Sequence, residues 1–201
     1  MTVPLAILDR DGTLIDVVRD EETGAITVAF HPDQIRLLPR AVEGMRALQD
    51  AGYTLAVATN QPAPAKGQFS ADAVRRTNAA LVATVADHGL HIAAVEVCMH
   101  HPEGGPGGDP ALVQRCDCRK PEPGMLNALV VRLGADVRRT WMIGDGAGDL
   151  EAGRAAGVRT ALVFATSRCE LCPLRGGPGG LTPDVYGPDL LEIARGILRR
   201  E

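Results

Sequence analysis

Two carboxylates one residue apart close the apolar run that opens the chain. Asp9-Arg10-Asp11-Gly12-Thr13 comes directly after residues 3–8. In extended or gently turning backbone, positions i and i+2 share a face, so Asp9 and Asp11 can converge on one point beyond the strand's end. Acidic groups held that close share either a proton or a cation. Gly12 permits a sharp turn, and Thr13 can hydrogen-bond that turn or cap the next segment. A solvated Asp-Gly turn carries the same letters, so the motif gains its weight from the company it keeps.

Three further groups provide that company. Thr59-Asn60-Gln61 offers a hydroxyl and two amides after a second apolar run. Arg119-Lys120-Pro121 sets cations just before a helix that Pro121 can help start. Gly144-Asp145-Gly146-Ala147-Gly148-Asp149 adds two acids in a Gly-rich turn. A Thr-Asn turn, a surface lysine or a capping aspartate is each commoner than a catalyst, but the ordered set, each at a strand end or in the loop after it, is a poor coincidence.

A second donor set differs in kind. Cys98-Met99-His100 and Cys116-Asp117-Cys118 are two pairs at i, i+2 spacing. Three thiolates and one imidazole make a tetrahedral zinc set with no position left for a catalytic water, so a zinc held there is expected to be structural. It would staple a loop containing Gly104, Gly105, Gly107 and Gly108 and pin the segment that delivers Arg119 and Lys120. His101 is the rival ligand, and spacing favours His100. Cys169 and Cys172 lack a complementary pair and read as free thiols.

The elements that must position these groups alternate. Strand-length apolar runs fall at 3–8, 54–58, 94–98, 140–143 and 160–164. Helical periodicity falls at 41–51, 70–88, 124–133, 148–156 and 189–200, with Gly/Pro-rich loops at 103–109 and 176–183. Such alternation predicts an α/β fold, a Rossmann-like parallel sheet with helices on both faces, in which the ends of strands at Asp9, Thr59 and Asp145 share the ligand-binding edge. A length of 201 residues suits one domain over 1–201 with a core made mostly of Ala, Val, Leu and Ile, because aromatics are only 3%. A net charge of -4 without a Lys/Arg cluster gives no case for nucleic acid, and no apolar run reaches the ~18 residues of a membrane span. The N-terminus enters a strand without a signal-like segment, and five cysteines, an odd number, favour metal or free thiols in a reducing, cytoplasmic setting.

Asp9-x-Asp11-Gly12-Thr13, Thr59, Lys120 and Asp145-x3-Asp149 together resemble the four motifs of the haloacid dehalogenase superfamily of phosphohydrolases. The resemblance implies Mg2+, held by the Asp9 and Asp145 carboxylates and the Asp11 carbonyl, and an aspartyl-phosphate intermediate. Asp9 would be the nucleophile and Asp11 the acid and base, with Lys120 and Thr59 stabilising the transferring phosphoryl group. Asp149 is expected to hold the loop or an outer-shell water rather than the metal itself.

The run Cys98-Met99-His100-His101-Pro102, with Cys116-Asp117-Cys118-Arg119-Lys120-Pro121-Glu122-Pro123-Gly124-Met125, resembles a narrower group. This is the zinc-containing D-glycero-D-manno-heptose 1,7-bisphosphate phosphatases, with histidinol-phosphate phosphatase as the sister branch. That resemblance implies a minimal cap and a small phosphorylated sugar as partner. Arg119, with Lys66 behind it, would face a second phosphate, and Asn60 and Gln61 would lie at the substrate. The alternatives are histidinol phosphate as substrate or a non-catalytic zinc-stabilised binding module, against which the intact acids argue. Two departures stand out: Gly146 occupies a position where the heptose enzymes usually have Lys, and residues 16–35 form a longer loop than usual, with Gly24 and His31-Pro32 inside it.

Overall fold

The computed structural model describes residues 2–19, 22, 24, 26–164 and 182–201. In chain order these form β1 (Val3–Leu8), β2 (Val18–Arg19), β3 (Ile26–Thr27), α1 (Ala41–Asp50), β4 (Thr54–Asn60), α2 (Ala71–Asp87) and β5 (Ile92–Cys98). The second half contributes α3 (Gly124–Leu133), β6 (Ala135–Gly144), α4 (Ala147–Ala155), β7 (Arg159–Val163), β8 (Val185–Gly187) and α5 (Leu190–Leu198). Six strands make one sheet in the order β5-β4-β1-β6-β7-β8, and every neighbouring pair is parallel.

The period-2 geometry of β1 explains the layers. Ala6 and Leu8 point to the core shared with Met45 and Leu48 of α1, Leu81 and Val85 of α2, and Ile193 and Ile197 of α5. Leu5 and Ile7 point the other way, onto Met125, Leu126 and Leu129 of α3 and Ala152 of α4. Both faces are therefore covered, as the sequence predicts, and β1 is apolar on both sides because neither faces water. The chain leaves β1 for β4 and β5 on one flank, then returns to β6 on the other. That reversal opens a crevice at the carboxyl end of β1, where ligands bind in sheets of this kind.

Three features differ from the sequence-based expectation. Residues 16–35 are not a plain loop: β2 and β3 pair antiparallel, Val18 with Thr27, and a short 3-10 turn at Pro32–Gln34 comes after them. His31 caps that turn, its Nδ1 accepting from the Asp33 N–H at 3.3 Å, so it organises its own loop. The fourth major strand starts at Ala135 rather than 140, because its first half is largely solvent-facing and carries no apolar run. The sheet also gains β8, three residues long and too short to leave a period. Cys169, Cys172 and most of the 176–183 loop lie outside the described residues. No helix among the described residues is long and apolar enough to cross a membrane.

Candidate active site and the cysteine–histidine cluster

Two strand ends, those of β1 and β6, deliver the acids to one place. The Asp9 N–H donates to the Ile143 carbonyl at 2.8 Å, tying the end of β1 to the end of β6. Gly12 then turns with φ +83°, and a Cβ built on it would stand 2.0 Å from Asp145 Oδ2. Glycine is thus required twice, for the left-handed turn and for the space the Asp145 carboxylate fills. Asp9, Asp145 and Asp149 each offer a carboxylate oxygen, all within 4.8 Å of one another.

Lys120 enters this cluster from the segment before α3. Its Nζ lies 2.8 Å from Asp9 Oδ1, 2.5 Å from Asp149 Oδ1 and 2.8 Å from the Ala58 carbonyl. The side chain is only 4% exposed. Burial opposes its charge, but Asp9 and Asp149 outweigh that and hold Lys120 above the ordinary lysine range. Asp145 shows the opposite imbalance. Burial, then the Asp9 and Asp149 carboxylates, push it up to about 7. Three clustered acids, Asp149 buried and Asp9 and Asp145 partly so, with one lysine among them form a hard-oxygen donor set short of positive charge, which fits Mg2+. Asp149 is the most committed of the three, since it also accepts from the Gly146 N–H at 3.0 Å and so ties the turn that starts α4. Gly146 itself has ordinary backbone angles.

Asp9, Asp149 and Lys120 border a hollow of about 190 Å³ that is also lined by Asp11, Thr59, Asn60 and Val28. It has room for a phosphoryl group and the first atoms of its ester, so the remainder of a sugar would extend outward. The Asp11 carboxylate stands apart from the acid cluster. Arg10 Nε reaches its Oδ2 at 3.0 Å, Arg10 NH2 its Oδ1 at 3.1 Å, and Gln61 Nε2 its Oδ2 at 2.7 Å. Burial raises the Asp11 pKa above the carboxylate norm, against the lowering pull of Arg10. Thr59, near the end of β4, accepts from the same Gln61 amide at 2.9 Å.

Two amides expected at the substrate have other partners. Asn60 Nδ2 donates to the Lys120 carbonyl at 2.9 Å, and its Oδ1 accepts from the Lys120 N–H at 3.1 Å, so its amide clamps the lysine's backbone. Gln61 is spent on Asp11 and Thr59. Thr13 does not bond the turn: its hydroxyl is buried without a partner. Arg10 is the residue of this site that motif spacing passes over. Period-2 spacing would assign it to the face opposite the two acids, yet it is fully buried and its guanidinium turns back onto the Asp11 carboxylate.

The soft donors also meet. Cys98 Sγ lies 3.0 Å from Cys118 Sγ and 3.6 Å from Cys116 Sγ, and His100 Nδ1 lies 3.2 Å from Cys118 Sγ. All four donors fall within 4.8 Å of one another, a set whose chemistry suits zinc. His101 is not part of this set; its Nδ1 accepts from the Glu103 and Gly104 N–H groups. The glycine-rich loop lies backbone against backbone on residues 63–67: a Cβ on Gly108 would sit 1.9 Å from the Ala65 carbonyl oxygen. Lys66 and Arg119 converge near His101, whose pKa is lowered by burial and then by those two cations. Arg119 also donates to the His100 carbonyl at 3.4 Å.

Known proteins share this architecture. A family model described as HAD-hydrolase-like matches residues 117–190. The D-glycero-beta-D-manno-heptose-1,7-bisphosphate 7-phosphatase of Pseudomonas aeruginosa is 36% identical over 163 residues, 81% of this chain and 82% of that protein. The protein of the same name from Pseudomonas putida is 34% identical, over 96% of this chain and 99% of its own. Among solved structures, the D,D-heptose 1,7-bisphosphate phosphatase of B. bronchiseptica, complexed with magnesium and phosphate, superposes with a TM-score of 0.76 at 28% identity, covering 98% and 99% of the two chains. With the motif residues gathered at one sheet edge and relatives above 30% identity spanning most of its length, the chain belongs to the haloacid dehalogenase-like hydrolases, in the branch of the heptose bisphosphate phosphatases.

Proposed function

We propose that the protein is a Mg2+-dependent phosphatase that removes the 7-phosphate of D-glycero-D-manno-heptose 1,7-bisphosphate through an aspartyl-phosphate on Asp9. The observation that carries this reading is the convergence of Asp9 and Asp149 on the buried ammonium of Lys120, with the Asp145 carboxylate in the same cluster, beside a phosphoryl-sized hollow. The substrate is inferred from the names of the relatives and from the magnesium and phosphate bound in the B. bronchiseptica enzyme.

The Asp9 and Asp145 carboxylates with the Asp11 carbonyl would hold Mg2+, which when bound neutralises charge so that an anionic nucleophile can meet a phosphate dianion. Asp9 attacks phosphorus, forming an acyl phosphate as the ester P–O bond breaks. Asp11 gives its proton to the departing sugar oxygen, then takes one from the water that attacks phosphorus and frees Asp9. Lys120 and the Thr59 hydroxyl stabilise charge on the equatorial oxygens. Asn60 acts upstream of them by fixing the backbone of Lys120. Arg119 and Lys66, both near enough to His101 to lower its pKa, are suited to the second phosphate of a bisphosphate. Zinc on Cys98, His100, Cys116 and Cys118 would be structural. A cytoplasmic, reducing compartment suits three adjacent thiols that remain unbridged.

Phosphate release with Mg2+ on heptose 1,7-bisphosphate, a heptose monophosphate and histidinol phosphate tests the substrate. The bisphosphate is expected to lead by about 100-fold in kcat/KM. Equally low turnover on all three would overturn the assignment.

A further inference from the structure

Arg10 is a buried charge to which the phosphatase reaction assigns no task. It is fully buried, and its guanidinium makes hydrogen bonds to three different parts of the chain. Nε and NH2 grip the two oxygens of Asp11 at 3.0 and 3.1 Å. NH1 donates to Asn78 Oδ1, in the middle of α2, at 2.7 Å. NH2 also donates to the Ala29 carbonyl at 3.0 Å, in the segment just after the β2–β3 hairpin. The residue before it, Val28, borders the same hollow as Asp9 and Asp11. Asn78 is buried, and its own Nδ2 has no partner, so it is held at that site by what its Oδ1 accepts.

A fork of this kind fixes direction as well as distance. Two parallel N–H groups set the plane of the Asp11 carboxyl, and Gln61 adds a third donor on Oδ2. An unrestrained aspartate swings about two side-chain torsions, and a general acid displaced by an ångström loses its proton path. Asn78 and Ala29 in turn hold the fork, so α2 and the hairpin segment reach the reacting centre through one side chain. A purely structural strut between α2 and the hairpin segment would not need both oxygens of the acid.

We propose that Arg10 is the positioning residue of the leaving-group acid, with Asn78 as its anchor on α2. Arg10 acts through Asp11 rather than on the substrate: it aims the Asp11 carboxyl at the ester oxygen and holds the hairpin segment beside it. This inference rests on the phosphatase reading, in which Asp11 protonates the departing alcohol.

The test compares a substrate that needs that proton with one that does not. An alkyl phosphate ester leaves as a strongly basic alkoxide, whereas p-nitrophenyl phosphate leaves as a stabilised phenolate. The ratio of kcat/KM on the two reads the first chemical step alone. Arg10→Met is expected to lose about 100-fold on the alkyl ester and less than about 5-fold on the aryl ester, the same signature as Asp11→Asn. Combining Arg10→Met with Asp11→Asn should add no further loss on the alkyl ester, because one acts through the other. Asn78→Leu leaves both charges in place and should show the same bias at roughly 5- to 10-fold, which keeps the test open if Arg10→Met does not fold. Parallel losses on both esters, or additive losses in the double variant, overturn the role of Arg10. A wild-type protein inactive on every phosphate ester would instead reject the phosphatase reading beneath it.

Discussion

Cys98, His100, Cys116 and Cys118 bring four donors within 4.8 Å of one another beside a loop, whereas Asp9, Asp145 and Asp149 bring three to the same closeness at the carboxyl edge of the sheet. Both clusters draw on segments far apart in sequence. They differ in completeness and hardness. The thiol–imidazole set has the four ligands a tetrahedral ion needs, so it closes on itself and can only hold structure. The carboxylate set is incomplete for an octahedral ion, borders a hollow, and carries more negative charge than Lys120 can balance. An incomplete hard site leaves room for substrate and water, and a complete soft site does not. The two are joined covalently, since Cys118 lies two residues before Lys120 and Asn60 clips that lysine's backbone to the end of β4.

That contrast can be broken from either side. Asp9→Asn should lower phosphate release by about 10⁴-fold or more while the circular dichroism spectrum stays unchanged. Near-normal turnover would strip Asp9 of its role as nucleophile. Cys116→Ser should act through structure first. Loss of bound zinc is expected to lower the thermal midpoint by about 5–10 °C, with turnover falling roughly 10-fold as the Lys120 segment loosens. A zinc-free sample with full stability and full turnover would show that the soft cluster holds nothing.

Asn60→Ala separates clamp from contact. Removing two bonds to the Lys120 backbone should cost about 10-fold in kcat with KM little changed. A rise in KM at constant kcat would place the Asn60 amide on the substrate instead. The smallest effect concerns pH. Asp145 is raised from 3.8 to about 7, so the metal-free folded state keeps a proton that the unfolded chain has released. Stability of that form should fall as pH climbs from about 4 to 7, and Mg2+ should replace the proton. The thermal shift produced by Mg2+ is therefore expected to be larger at pH 8 than at pH 5, by roughly 3 °C. Equal shifts at the two pH values would detach Asp145 from the metal.

The layered sheet was legible because its central strands are buried on both faces and α1 to α4 end at or just before a glycine, as α3 does at Gly134 with φ +61°. The thiol–imidazole cluster was legible as two i, i+2 pairs, and the acid cluster through an ordered set of motifs at strand ends or in the loops after them. What escaped was short or indirect. β2, β3 and β8 have two or three residues each and leave no period. Asn60 and Gln61 were placed near the chemistry on sequence, yet whether an amide faces a ligand or a neighbouring backbone is decided by loops that meet only in the fold. Arg10 was hidden by its position between two more conspicuous residues, and its partners Ala29 and Asn78 lie 19 and 68 positions away.

Rapid acid quench during turnover, combined with peptide mass analysis, bears most directly on the central claim. The peptide containing Asp9 should carry one phosphoryl group that hydroxylamine removes and that is absent from Asp9→Asn. Steady phosphate release with that peptide unmodified at every quench time would contradict it.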